Sequence, residues 1–319
     1  MNTLSRLGIR VTLGFFVALA AIPAEAQGWP QRTVRLIVPL PPGSSTDIVG
    51  RLLAGRLADR WGQPVIVENR QGADGVPAVT AFLSARNPHT LLLSFAGIIT
   101  VNPLIHEQLP YDIHDLIPIV PVADNFLGVS ASATLKANSI SDLVKIAKSQ
   151  PGKLNWAATP GAPYYVLLAL LKSAAIDMVE VPYHDFGPAL QDLSQGRLHV
   201  AATGVTLLAP YHQAGTAKLM FVTNRERSPQ VPDVPTATQV GYPELTFEGI
   251  VGIYGSRDMP IDIQKFIADG VQAVTTDPEF RAKVTALGSA ARTGNSTEFA
   301  AAIEEQRNKI AAIAKTIPR

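Results

Sequence analysis

Cysteine is absent from all 319 residues. That absence excludes disulfides, a lipid attached through a cysteine, a thiolate nucleophile and a cysteine-ligated metal. Charge is sparse and balanced: Asp, Glu, Lys and Arg make up 17% of the chain, and the formal net charge is +1. With no basic stripe, nucleic acid is not an expected partner. An anionic ligand must then be attracted by local geometry, not by the field of the whole molecule. The six histidines (89, 106, 114, 184, 199 and 212) form no i+3 or i+4 pair and no HExxH motif, so neither a metal nor any other cofactor is expected. A GxSxG nucleophile elbow is missing, and Gly43-Ser44-Ser45-Thr46-Asp47 lacks the lysine of a phosphate-binding P-loop. Gly72-Ala73-Asp74-Gly75 is not a dinucleotide fingerprint. Tyr183-His184-Asp185 does not make a catalytic pair, because successive residues of an extended segment point to opposite faces. No enzymatic activity is expected.

What is present begins with an apolar run. Met1–Arg10 carries Arg6 and Arg10 without an acid, Val11–Ile22 is apolar and uncharged, and Pro23 is followed by Ala24-Glu25-Ala26. These are the three parts of a secretory signal, with cleavage expected near Ala26. Twelve residues at about 1.5 Å each do not cross a hydrocarbon core of about 30 Å. No later stretch approaches the ~20 apolar residues of a membrane span. The expected mature chain is therefore an exported, soluble protein. Removing Arg6, Arg10 and Glu25 leaves Lys+Arg and Asp+Glu at 25 each, a formal charge of zero. About 290 residues with 47% hydrophobic content suffice for two domains with sizeable cores.

β-rich runs then alternate with helical periodicity, the pattern of α/β units on a largely parallel sheet. Strands are expected at 34–38, 65–68 and 90–94, with helices at 46–61 and 75–85; Val49, Leu53, Leu57 and Trp61 recur on one helical face. Residues 117–122 and 126–131 look extended, after which the alternation restarts: helices at 141–149, 163–175, 187–195 and 207–214, strands at 154–158, 178–181, 198–203 and 217–222. Ser228–Pro235 is a proline-rich loop, 245–255 is extended again, and helices near 261–275, 278–287 and 296–315 close the chain. The expected fold is an α/β, two-lobed clamshell with two crossover strands: lobe one from 27–124 and 246–319, lobe two from 125–245. Gly249, Gly252 and Gly255 lie in the returning strand, where close packing or bending explains them.

In an open α/β sheet, ligands bind beyond the carboxyl ends of the strands. The first such loop holds Pro41, Gly43, Ser44, Ser45, Thr46 and Asp47, with hydroxyls beside the free N–H groups of a helix N-terminus. Ser44 with Asp47 also fits a capping box, and Asp47 is expected to order the loop, since its charge repels an anion. Thr159-Pro160-Gly161-Ala162-Pro163 opens a helix in the second set, followed by Tyr164, and Ser94, Ala96 and Thr203 occupy equivalent strand-end positions. Phe95, Tyr165 and Phe186 are further residues that can line a pocket.

Residues 29–75 (WPQRTVRLIVPLPPGSSTDIVG and onward) resemble the N-terminal signature of the Bug proteins, the extracytoplasmic receptors of tripartite tricarboxylate transporters. The resemblance continues through LPYDIHDLIPI (109–119), QPGKLNWAATPG (150–161), VPYHDFGPALQDLSQGRL (181–198) and RSPQVPDVPTATQVGYPEL (227–245), covering nearly the whole mature chain. It implies a monomeric periplasmic receptor that holds a small carboxylate between the loops matching Pro41–Asp47 and Thr159–Pro163. Its partners would be membrane transporter subunits or, alternatively, a membrane sensor kinase. Ser44-Ser45 stands where the family usually carries glycines, Ala157–Pro163 is less polar than its counterpart, and His184 replaces a common lysine. These departures point to a ligand with one anchored carboxylate and an apolar or aromatic body.

Overall fold

The computed structural model describes residues 28–183 and 185–315. Residues 1–26, expected to be a secretory signal, and His184 lie outside the described residues. In chain order, the first part holds β1 (Val34–Val38), α1 (Ser45–Trp61), β2 (Val65–Asn69), α2 (Val76–Ala85), β3 (Thr90–Phe95), α3 (Gly97–Thr100), α4 (Asn102–Ile105) and β4 (Leu116–Asn125). Next come β5 (Leu127–Ser132), α5 (Ile140–Ser149), β6 (Asn155–Ala158), α6 (Ala162–Ala174), β7 (Val179–Glu180), α7 (Phe186–Gln195), β8 (Val200–Gly204), α8 (Val205–Gln213) and β9 (Ala217–Val222). The last part holds β10 (Gly249–Ser256), α9 (Ile261–Thr275), α10 (Pro278–Ala286), β11 (Ser289–Ala291) and α11 (Ser296–Ala314).

The strands form two sheets, ordered β11-β4-β10-β3-β1-β2 and β7-β6-β8-β5-β9. Within continuous apolar strands, period-two alternation feeds both faces. Leu36, Leu91 and Leu93 pack with Leu53, Leu57, Ile267 and Val271 beneath α1 and α9. Ile37 and Leu92 turn to the other face, against Val79, Phe82, Tyr254, Phe299 and Ile303. The second sheet repeats the arrangement: Trp156, Val200 and Ala202 face Leu167 and Leu170 of α6. On its far side, Ala157 and Ala201 face Leu193 and Leu208.

The α/β architecture follows the sequence pattern, but the sheets are less parallel than expected. β10 runs antiparallel to both β3 and β4, and β5 runs antiparallel to both β8 and β9. The cause is connectivity: a strand that enters a sheet from the other sheet arrives from the end opposite to the local βα units. β11 was not foreseen, because Ser289–Ala291 has no β-branched residue and pairs only with Ala123–Asn125. β4 contains Pro118 and Pro121, which lie outside that short pairing and beside two register shifts against β10.

The chain passes from the first sheet to the second through the single residue Phe126 and returns ahead of Gly249. Side chains tie these passages together. Asn224 accepts from the Leu127 N–H (3.2 Å) and donates to the Asn125 carbonyl (3.2 Å). Thr223 donates its hydroxyl to the Phe247 carbonyl at 2.6 Å. A further link is α11, opened by an Asn295–Glu298 capping box. Its first half places Phe299 and Ile303 in the core of the six-stranded sheet, while Ile310 enters the core of the five-stranded one.

Candidate functional site

A cleft of about 420 Å³ lies where loops from both sheets meet. Three helices present their N-termini to it, and each has a glycine as its N-cap: Gly75 for α2, Gly161 for α6 and Gly204 for α8. A glycine cap has no side-chain acceptor, and none of the three receives a side-chain cap bond. First-turn N–H groups have no intrahelical acceptor, but Val76 and Val205 already donate theirs to the Ala73 and Phe126 carbonyls, and Pro77 and Pro163 have none. Only the remaining first-turn N–H groups can serve an outside acceptor. Together with the helix dipoles, they make a site for an anion. α1 contributes differently: Ser44 caps it through the Asp47 N–H (3.3 Å), and Thr46 reaches the cleft.

The loop ahead of α1 is held from below. Asp47 is 1% exposed. Its carboxylate accepts from the Gly43 N–H (2.8 Å), Arg51 Nε (3.0 Å) and Asn69 Nδ2 (2.8 Å). Burial opposes its ionisation, but these bonds with Arg51, Gly43 and Asn69 prevail and hold the Asp47 carboxyl below its ordinary value. Gly43 adopts φ +85°, a left-handed conformation that the tight turn requires.

The loop ahead of α2 holds four successive left-handed residues, Gly72, Ala73, Asp74 and Gly75. A side chain at Gly75 would meet Pro39 Cβ at 3.1 Å, so this backbone seats closely against the strand-end loop after β1. Asn102 Nδ2 clamps it, donating to the Asp74 carbonyl (3.0 Å) and to Tyr111 Oη (3.0 Å). Tyr111 Oη in turn donates to the Ile98 carbonyl at 2.8 Å. Burial pushes the Tyr111 phenol up to about 12, so it stays a neutral donor at any physiological pH. The Asp74 carboxylate pairs with His106 Nε2 at 3.1 Å.

On the opposite wall, Thr159 Oγ1 donates to Thr203 Oγ1 (3.2 Å), and the Thr159 N–H donates to the Ala202 carbonyl (3.1 Å). Gly161 then turns at φ +91° into α6. Asn125, Leu127, Glu248, Gly249 and Ile250 line the cleft from the crossing segments, with Gln306 from α11. Among the described residues that line it, the only charged side chains are Asp74 and Glu248; no lysine, arginine or histidine is there.

Of the residues singled out from the sequence, the cleft brings together Thr46, Ala96, Thr159, Gly161 and Ala162. Gly43, Ser44 and Asp47 form the supporting turn, while Pro41 is exposed and Ser45 half-buried beside it. Ser94 is buried one residue before the lining Phe95, and Thr203 stands behind Thr159. Tyr164 points elsewhere: its hydroxyl donates to Glu180 (3.2 Å) and its ring lies 5.5 Å from Trp156. The sequence reading missed Gly72–Gly75, Asn102, Asn125, Glu248 and Gln306. A Gly-x-x-Gly ahead of a helix was the available sign for the first; the others reach the site only through the fold.

A second cavity, about 500 Å³, lies on the other side of Glu248, Ile250 and Gln306, which line both. Most of its charges are paired with each other. Arg292 Nη1 bonds Asp124 (2.9 Å) and Glu248 (2.6 Å); Arg225 pairs with Glu248 and Glu305 (3.3 and 3.2 Å), and Lys309 with Glu305 (3.0 Å). Arg281 also lines the cavity and donates to the Thr275 carbonyl (3.5 Å), not to a carboxylate. Burial pushes the Asp124 carboxyl up to about 6 despite Arg292. A raised carboxyl favours the folded state fully below its ordinary 3.8 and loses that contribution as pH rises through about 6. Asp124→Asn is therefore expected to raise the melting temperature at pH 8, by at most about 3 kcal/mol of stability, with the gain vanishing toward pH 4. Melting curves across that range check this; a gain independent of pH would refute it.

The family model described as "Tripartite tricarboxylate transporter family receptor" matches residues 49–318. Protein BugT of Bordetella pertussis is 35% identical over 242 residues, 73% of this chain and 74% of that protein. A solved periplasmic transporter structure is 29% identical with a TM-score of 0.76, covering 90% of this chain and 98% of that one. MatC from Rhodopseudomonas palustris, solved with bound malate, is 26% identical with a TM-score of 0.74, covering 90% of this chain and all (100%) of that one.

Proposed function

From the premise that this chain belongs to the tripartite tricarboxylate transporter receptor family, we propose that it captures a small carboxylate in the periplasm for membrane transporter subunits. It performs no chemistry on that ligand. The observation that carries this reading is the meeting of three glycine-capped helix N-termini in a cleft lined, among the described residues, by no cationic side chain. The ligand carboxylate accepts from first-turn N–H groups of α2 and α6 and from the Thr46 hydroxyl, while the Thr159 hydroxyl stays committed to Thr203. Each helix end contributes about 0.3–1 kcal/mol, more where water is excluded. MatC with malate supports a carboxylate as the ligand class.

The body of the ligand is apolar. Phe95, Val101, Ile105, Leu127, Pro163 and Ile250 line the cleft, and burying hydrocarbon against them yields about 25 cal/mol per Å². Lobe one, 27–124 with 246–319, closes on lobe two, 125–245, by bending at Phe126 and ahead of Gly249. The closed form is what the transporter recognises. In this reading, the secretory segment is removed near Ala26 and the mature protein works as a monomer.

Thermal-shift screening followed by calorimetry tests the proposal. A monocarboxylate with an apolar body, supplied at a hundred times its Kd, is expected to add about 2.7 kcal/mol of stability, a rise of several degrees in Tm. Stabilisation by small polar di- or tricarboxylates alone would refute the apolar body. Stabilisation by no carboxylate would refute the reading as a whole.

A further inference from the structure

Asn125 is the last residue of β4 and stands at the crossing between the sheets, half-buried and lining the ligand cleft. Its side chain is held at both ends. Oδ1 accepts from Ser289 Oγ of β11 at 2.9 Å, and Nδ2 donates to Thr46 Oγ1, at the start of α1, at 3.3 Å. Ser289 is 1% exposed and does not line the cleft. Its hydroxyl nevertheless decides which way round the amide sits, because only the oxygen end of an amide accepts. The nitrogen end carries two protons. One goes to Thr46, and the other has no acceptor among the described residues. Thr46 is itself only 1% exposed, so Asn125 is the more accessible donor of the pair.

We propose that Asn125 is a specificity-determining residue: its second Nδ2 proton donates to the ligand carboxylate beside Thr46, and Ser289 is the positioning residue that keeps this donor turned to the cleft. This rests on the carboxylate reading above and goes beyond it by assigning a side-chain donor from the crossing itself. A hydrogen bond from an amide to a carboxylate is charge-assisted and about twice as strong as one between neutral groups, so Asn125 favours an ionised acid over its carboxamide. The placement has a second effect. The Asn125 carbonyl accepts from Asn224 Nδ2 (3.2 Å), just past β9 of the other sheet, and Phe126 follows directly. A ligand held by this residue is anchored at the pivot, so the contact persists as the lobes close.

Calorimetry on the intact mature protein tests this with straight-chain monocarboxylates of about four to eight carbons and the matching primary carboxamides. Asn125→Ala is expected to weaken the best-fitting acid by at least about tenfold, the worth of one charge-assisted hydrogen bond. Asn125→Asp keeps the shape but presents only acceptors, to which a carboxamide can donate and a carboxylate cannot. It should lower the ratio of acid to carboxamide affinity by about a hundredfold. Ser289→Ala frees the amide to take either orientation. It is expected to cost the acid about twofold, and nothing further once Asn125 is alanine. In isotope-labelled protein followed by NMR, one Asn125 side-chain proton should move downfield as the acid binds, a shift that loosening of the fold does not produce. Equal weakening of acid and carboxamide by Asn125→Asp, a Ser289→Ala effect that survives without Asn125, or unmoved side-chain protons would each overturn the assignment while leaving carboxylate capture standing. Binding of no acid by the parent would overturn both.

Discussion

Asp47→Asn is expected to abolish ligand binding and to cost about 3 kcal/mol of stability, although Asp47 does not line the cleft. Its partners are all donors: the Gly43 N–H, Arg51 and Asn69 Nδ2. An asparagine of the same shape replaces one acceptor oxygen with an N–H₂ group, so two donors then face each other inside a 1% exposed site. The shape is conserved and the chemistry inverted. Asp47→Asn should therefore be at least as damaging as Asp47→Ala, an order that a purely steric role would reverse. With the loop unpinned, Gly43 and Ser44 no longer hold the first turn of α1, and Thr46 loses its position at the cleft. Calorimetry and melting curves on both variants decide the matter. Wild-type affinity in Asp47→Asn would show that the loop holds its shape unaided. Because the Asp47 carboxyl lies below its ordinary 3.8, its contribution is complete above that pH and fades as pH falls through the lowered value.

Gly249→Ala is expected to lower Tm by about 5–10 °C and weaken ligand binding by at least about tenfold. A methyl group at this position would lie 2.4 Å from the Asn125 carbonyl oxygen and 3.1 Å from the Asn125 carbonyl carbon. Both contacts are backbone, at the point where the outgoing and returning chains pair (Gly249 opposite Asn125), so no rotamer change relieves them. The strands must separate, and the cleft is lined by both residues. Gly252→Ala is the control. Its methyl would strike the Phe299 ring at 2.3 Å and the Val120 carbonyl oxygen at 2.8 Å, within the core of the six-stranded sheet. A similar loss of Tm is expected there, with ligand affinity kept within about twofold, because Gly252 does not line the cleft. Equal losses of affinity in the two variants would show that binding responds to general destabilisation and not to the crossing strands.

Much of this architecture was legible from spacing alone. The long helices α1, α9 and α11 have apolar residues at helical intervals, and β1 and β3 are short apolar runs bounded by turns. Strand direction was not legible, because β5 and β10 owe theirs to the path between sheets and not to any local pattern. α3 and α4 were missed because four-residue helices offer one turn each, too little for periodicity to register. At the cleft, residues on βα loops could be found by rule: Thr46, Ala96, Thr159, Gly161 and Ala162 follow strand ends. Asn125, Glu248 and Gln306 obey no such rule. They come from segments more than 50 residues apart in the chain, and only the crossing of those segments puts them together. Tyr164 illustrates the opposite error: it sits in the first turn of the right helix, but the rotation of that helix directs its ring toward Trp156.

α11 has a bearing on how the molecule comes apart. A protein with two sheets joined only by strands can lose one half and keep the other. Here a single rod is embedded at both ends, through Phe299 and Ile303 in one core and Ile310 in the other. Neither half can melt without stripping apolar surface from the rod that the other half holds, so heat should dissolve both in one step. The same rod limits how far the halves can swing, and it carries Gln306 at the midpoint between its two anchorages.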